Sequence, residues 1–235
     1  MRTISKPMPP DPRFTVPRYT VPEAARFLGV PSTTFSHWAR GYEVHFPDRR
    51  PVKKGPIITA LEGGGREPSI PFIGLTEGLV VAAFRKADVS LQHIRRAVEI
   101  LNAQIGIDFA LASQKLYTDG ASVLFDYAER EGDEQLTHVV TQQRVFAPVV
   151  AEYLRLISRD EAGWPRRVVS PMTDVVVVDP ARAFGQPIFV RGAVRVEDVL
   201  DRIRAGERFA EVADDFGVPV EDVEAVVRAE LRLAA

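Results

Sequence analysis

The sequence predicts a mostly α-helical α+β chain, and three observations carry that reading. Apolar residues recur at helical spacing behind capping residues at both ends of the chain. The unbroken β-branched run Val175 to Val178 reads as a buried strand, and Asp119-Gly120 between β-prone segments reads as a two-residue hairpin turn. The 235 residues contain no cysteine, so a packed core must hold the fold. The same absence excludes thiolate nucleophiles and Cys-ligated zinc. A chain of this length can bury one large core or two to three small ones.

The N-terminus carries Pro7, Pro9, Pro10 and Pro12, with Pro17 just beyond. That is too many for a helix or a central strand, and residues 1–14 are expected to form a flexible arm. From Thr20 the pattern turns helical. Thr20 and Glu23 form an S/T-x-x-E capping box, Ala24, Ala25 and Leu28 share a face, and Gly29 stops the helix. A second short helix is expected from Ser32 to Arg40, with Phe35, Trp38 and Ala39 inward and Gly41 at its C-terminus. Residues 42–73 are rich in Pro and Gly, including Gly63 to Gly65, with short β-prone pieces at Val44–Phe46 and Ile57–Leu61, and read as a loop or a wing. Two amphipathic helices come next, Thr76–Lys86 and Ser90–Asn102, the latter with Leu91, Ile94, Ala97, Val98 and Leu101 on one stripe.

Beyond residue 102, Lys115–Thr118 and Ala121–Tyr127 flank the hairpin turn. A long helix is predicted from Thr141 to Ser158, either kinked at Pro148 or starting near Ala147. Pro187–Val190 is placed to pair with Val175–Val178. Three helices then close the chain, Val196–Arg204, Phe209–Phe216 and Val220–Leu233, separated by Gly206 and by Gly217-Val218-Pro219. On the last, Val223, Val226, Val227 and Leu231 form an apolar stripe for a core or a dimer. The expected division is an arm (1–14), a basic helical domain (15–102), a hairpin-and-helix middle (103–170) and a C-terminal domain (171–235).

The net charge of -2 conceals a division. Residues 1–102 hold 15 Lys+Arg against 9 Asp+Glu, whereas residues 103–235 hold 15 against 23. The basic half is suited to phosphate and the acidic half is not. On the second helix, Thr33, Ser36, His37 and Arg40 occupy the outer face, where short polar or basic side chains meet base edges. Arg49, Arg50, Lys53 and Lys54 put four cations in six positions with no acid among them, a spacing suited to tracking phosphates.

Tyr19 to Val30, followed by Thr34, Phe35 and Trp38, resembles the helix-turn-helix of the MerR superfamily. Leu79 to Leu101, centred on Val89 to Arg96, resembles the second helical pair of the same winged domain. The resemblance implies an N-terminal winged helix-turn-helix whose recognition helix is Ser32–Arg40 and whose wing carries the four cations.

At the other end, Gly185, Pro187, Val196 to Leu200, Ala205-Gly206, Val212-Ala213, Phe216-Gly217-Val218 and Val223 resemble the small C-terminal domain of VapB-type antitoxins. One departure stands out: that family usually has Gly-Thr-Arg-Ile-Pro where this chain has Arg191-Gly192-Ala193-Val194-Arg195. Residues 209–228 also repeat a helix, Gly turn and helix. Residues 196–235, however, hold 5 Lys+Arg against 11 Asp+Glu, which repels a phosphate backbone and favours a protein-binding role.

Together the two resemblances imply an antitoxin with two tasks. It would cover the acidic active site of a PIN-domain ribonuclease toxin, and as a homodimer it would repress its own operon on operator double-stranded DNA. Such an antitoxin offers a cation that competes with the nuclease metal. Arg166, Arg167, Arg182, Arg191 and Arg195 are the candidates.

An enzyme is not expected. His37, His45, His93 and His138 fall in separate elements without ligand spacing, so neither a metal site nor a cofactor is implied. Asp214 and Asp215 are adjacent on a helix and point apart. Gly63 to Gly65 lack the strand-Gly-helix context of a phosphate loop. Trp38 sits at core spacing from Phe35, and Trp164 reads as a loop or interface residue. No apolar run approaches the roughly 18 residues of a membrane span and the start lacks a signal h-region, so a cytoplasmic protein is expected. The competing readings are a MerR-like regulator responding to a small effector and an excisionase-like DNA-architectural factor. The acidic C-terminal half is surplus to the latter.

Overall fold

The computed structural model describes residues 11–46, 49–63, 67–105, 108–114, 116 and 151–234. Apart from Leu116, the Lys115–Tyr127 hairpin lies outside them, as do residues 141–150 of the expected long helix. The described chain is a mixed α+β structure of helices with two small antiparallel sheets.

It begins with a short helix, α1 (Pro12–Thr15), capped by Asp11, whose carboxylate accepts from the Arg13 amide. Residues 12–14 of the expected flexible arm are therefore helical. Pro12 starts this helix rather than preventing one, because a proline in the first turn forfeits an N–H that has no partner anyway. Arg13 reaches Asp160 at 2.7 Å and the Pro165 carbonyl at 2.9 Å. Phe14 packs against Phe109 and Trp164, with ring centroids 4.9 and 5.1 Å away, which gives Trp164 its role.

Next come α2 (Val21–Leu28), α3 (Ser32–Arg40) and a hairpin of β1 (Tyr42–Phe46) and β2 (Arg49–Lys54). The second strand is the basic run itself and not Ile57–Leu61. Ile57 and Ile58 are buried, and their amides both donate to the Trp38 carbonyl, at 2.7 and 3.2 Å. Their apolar character serves the core, whereas a hairpin edge in solvent favours charged side chains.

The chain continues into α4 (Phe72–Lys86) and α5 (Leu91–Ile105). The first starts four residues before the predicted Thr76. Every residue from Phe72 to Phe84 is buried, so packing overrides the weak helix propensity of Gly74 and Gly78. Gly78 is needed for contact, because a Cβ there would press into the Phe35 ring and Leu28.

Residues 151–155 are helical, but the chain is already a strand by Ile157, so the long helix ends earlier than Ser158. A four-stranded antiparallel sheet has the order β3 (Ile157–Arg159), β4 (Pro165–Val169), β5 (Val176–Val178) and β6 (Ile188–Phe189). The expected pairing of the valine run with Ile188 and Phe189 is present, with Val176 opposite Phe189. The residue pattern does not announce the first two strands. Each is short, and Arg166 and Arg167 interrupt the apolar alternation.

Helices α6 (Val196–Arg204), α7 (Phe209–Phe216) and α8 (Val220–Ala234) complete the chain. The stripe on α8 divides. Val223 and Val226 are core and Val227 is half-buried, whereas Leu231 stays exposed. One continuous apolar core runs from Phe35 and Trp38 through α4 to Val199, Val212 and Val223.

Candidate nucleic-acid interface

The geometry of the first helix pair follows from its caps. Thr20 Oγ1 accepts from the Glu23 amide at 3.3 Å while the Glu23 carboxylate accepts from the Thr20 amide at 2.7 Å. At the other end Gly29 adopts φ 69°, ψ 33°, a left-handed turn, and the Val30 amide donates back to the Ala25 carbonyl at 3.0 Å. That turn aims α3 so that Phe35, Trp38 and Ala39 enter the core. The remaining face carries Thr33, His37 and Arg40 exposed and Ser36 half-buried. Positions 33, 36, 37 and 40 lie on one side of a helix, so all four predicted base-reading residues share one surface.

The hairpin is tied to this helix by glycine and by aromatic contact. Gly41 has φ 75°, and a Cβ there would overlap the Lys54 carbonyl, so the end of the hairpin folds back directly on the end of α3. The His37 ring lies 5.0 Å from the Tyr42 ring, and the Arg95 guanidinium lies 5.9 Å from the same ring. Arg95 also donates to the Gly55 and Pro56 carbonyls, and burial pulls its pKa down. Tyr42 and Arg95 thus lock α3, the hairpin and α5 together. Neither stands out in the sequence, because an arginine on an amphipathic helix reads as solvated and the contact spans distant segments.

Arg50 and Lys53 are exposed and Lys54 is half-buried, while Arg49 begins β2 opposite Phe46. The ladder also sets Glu43 directly opposite Lys53. The hairpin is therefore less positive than its own run of cations suggests, since an opposed acid offsets one of them.

The five arginines considered for a protein partner are not gathered in one place. Arg166 and Arg167 are exposed on β4, with Arg167 Nε donating to Ser158 Oγ at 3.1 Å, and Arg182 is exposed on the loop after β5. Arg191 is engaged by Asp222 and Glu221, and Arg195 lies 3.6 Å from Asp198.

The back of α2 is occupied by the C-terminal region. Arg26 pairs with Glu230 at 2.8 Å and Glu197 at 3.3 Å, so it is spoken for and does not add to a phosphate-facing surface. Burial raises the Glu197 pKa, but the hydrogen bond from Arg204 and the charge of Arg26 outweigh it and the net shift is downward. Ser170 Oγ donates to the Phe27 carbonyl at 3.0 Å, and the buried Tyr19 hydroxyl donates to the Gly185 carbonyl at 2.7 Å. Between these contacts lies a cavity of about 330 Å³ lined by Phe27, Met172, Val226, Arg26, Glu197 and Glu230 among others. Among the described residues no group of His, Asp and Glu is arranged to hold a metal ion, and no helix is long and apolar enough to cross a membrane.

Residues 17–98 match a family described as "Putative DNA-binding HTH domain", and residues 176–228 match one described as "Protein of unknown function (DUF433)". The chain is 42% identical to a Mycobacterium tuberculosis protein named "Putative antitoxin VapB45", over 88% of this chain and 90% of that protein. It is 25% identical to "Uncharacterized protein Rv2308" of the same organism, over 88% of this chain and 87% of the other. A crystal structure of Rv2018 from M. tuberculosis superposes with a TM-score of 0.74 at 38% identity, covering 92% of this chain and 99% of that one.

Proposed function

We propose, from the premise that this chain belongs to the VapB45 antitoxin family, that it is an antitoxin that both binds DNA and neutralises a toxin. In this reading a homodimer of MerR-like winged domains sits on operator double-stranded DNA and represses the chain's own operon. Thr33, Ser36, His37 and Arg40 read bases, and Arg49, Arg50, Lys53 and Lys54 hold phosphates. The observation that carries it is the alignment of the exposed face of α3 with a basic hairpin fastened to its end. Dimerisation would double a weak half-site contact into specific binding.

The second task is to sequester a PIN-domain ribonuclease, whose clustered carboxylates hold Mg²⁺ and attract a cation from the antitoxin. Of the five candidate arginines, Arg166, Arg167 and Arg182 remain without a carboxylate partner among the described residues, whereas Arg191 and Arg195 serve intramolecular ion pairs. The test is expression of the protein encoded in the adjacent reading frame, with and without this chain. Growth arrest relieved by co-expression, with co-purification of the two, supports the reading. Absence of both rejects it.

A second reading, a regulator answering to a small effector, draws on the cavity of about 330 Å³ between α2 and the C-terminal helices. It predicts operator binding that responds to a small molecule and requires no partner protein.

A further inference from the structure

We infer that Phe184, together with Arg182, Arg166 and Arg167 at the same end of the C-terminal sheet, forms the anchor by which this chain docks the acidic surface of its nuclease partner. The inference rests on the toxin-binding reading above and names the surface that performs it.

Phe184 is 89% exposed, the most exposed of the large apolar side chains among the described residues. Its placement is imposed by the backbone. Ala183 and Phe184 have φ of 44° and 54°, two consecutive residues in the left-handed region that L side chains rarely adopt. Such strain persists only where surrounding contacts over-determine it, and it concentrates at ligand clamps. Those contacts are present. The Arg18 guanidinium donates to the Phe184 carbonyl at 2.8 Å, and the buried Tyr19 hydroxyl donates to the Gly185 carbonyl at 2.7 Å. The Gly185 amide closes the turn onto the Arg182 carbonyl at 2.8 Å. A ring held in solvent by a fixed loop loses little freedom on docking, as an aromatic interface anchor requires.

Charge identifies the partner's chemistry. Between residues 160 and 230 the chain has nine arginines. Arg191, Arg195, Arg202, Arg204, Arg208 and Arg228 are each paired with a carboxylate of this chain. The three without such a partner among the described residues are Arg166, Arg167 and Arg182, in a part of the molecule that otherwise carries excess acid. The register sets them at one end of the sheet. Val168 pairs with Val178, so Arg167 and Arg166 extend past the end of β5, where the loop carrying Arg182 and Phe184 leaves the sheet. An exposed aromatic two residues after Arg182, at the end of the sheet that also carries Arg166 and Arg167, fits a partner with an apolar socket bordered by carboxylates.

The test uses the intact chain and the purified nuclease from the adjacent reading frame. Phe184→Asn removes the ring while keeping a residue that tolerates the left-handed region. The expected result is an affinity about thirty-fold weaker for Phe184→Asn and about five-fold weaker for Arg182→Ala. Operator binding should be unchanged, and the Phe184→Asn melting temperature equal to or above that of the unmodified chain. Three results would overturn the inference: unmodified affinity in both variants, a fall in melting temperature that accounts for the lost binding, or a shift of the free chain to lower mass, which would mean that the ring joins two copies. If the unmodified chain itself does not bind the nuclease, the parent reading fails and this inference fails with it.

Discussion

Helices α2 and α7 are each eight residues long, and each ends on a glycine followed by Val-Pro and a second helix. Gly29 has φ 69°, ψ 33° and Gly217 has φ 63°, ψ 33°. The Val30 amide bonds to Ala25 and the Val218 amide to Ala213, both at 3.0 Å. The backbone device is the same, but the second helix of each pair differs in charge. The helix after Gly29, Ser32–Arg40, contains no carboxylate and exposes Thr33, His37 and Arg40. The helix after Gly217 opens with Glu221, Asp222 and Glu224, and its buried Asp222 is held by Arg191. The turn chemistry encodes an angle between two helices, and the charge on the second helix decides which class of molecule that angle can serve.

Removing charge from the first unit should have the largest effect. Replacing Arg49, Arg50, Lys53 and Lys54 together with Ala should weaken operator binding by about a hundred-fold or more and lower the salt slope by about 2 to 3. The slope loss is less than the four cations would give, since Lys54 is half-buried and Glu43 faces Lys53. Neutralising Glu221 and Glu224 in the second unit should leave operator binding unchanged, as measured by the same titration. A gain in DNA affinity there would show that acidity alone separates the two units.

The glycines sharpen the comparison by stability. Gly29→Ala adds left-handed strain and a Cβ that displaces the flexible Met172 side chain, and should cost about 1 to 2 kcal/mol. Gly217→Ala meets nothing within 4 Å and should cost about 1 kcal/mol from strain alone. Equal losses in urea melts would mean that Met172 moves aside without cost. Arg191→Ala leaves Asp222, 1% exposed, without its counter-charge and should lower the urea midpoint, whereas Glu221→Ala at the exposed partner should not.

A pH-dependent effect lies at Glu77, a fully buried acid in the core of the DNA-binding half. Burial raises its pKa from 4.5 to about 7, against the lowering effect of the Thr59 amide, which donates to it at 2.6 Å. The native chain therefore keeps this proton up to about pH 7, while the unfolded chain releases it above about 4.5. Stability contributed here is fullest below pH 4.5 and erodes as the pH rises to 7. Glu77→Gln, whose amide carbonyl can take the same N–H, should gain about 1 to 2 kcal/mol at pH 8 and nothing at pH 4.5.

Local signals make much of this readable in the sequence. The capping box at Thr20, both Gly turns, α3, and the three C-terminal helices all announce themselves within a few residues. The face holding Thr33, Ser36, His37 and Arg40 comes from the same periodicity. The features hidden from such a reading depend on contacts distant in sequence. The early start of α4 needs a core that shields Gly74 and Gly78, and β3 and β4 gain their identity only from partner strands. The anchoring of Tyr42 by His37 and Arg95 joins three elements, and the strained loop at Phe184 is set by Arg18 and Tyr19 far upstream.

The most direct test of the division between the two units is fluorescence anisotropy of the full chain on a duplex of its own promoter, titrated between about 50 and 200 mM salt. Affinity should fall steeply and linearly on logarithmic axes, and the fall should be shallower in the variant lacking Arg49, Arg50, Lys53 and Lys54. Binding that is absent, or that shows the same slope with and without those four cations, would contradict the assignment of DNA contact to the first helix pair and its hairpin.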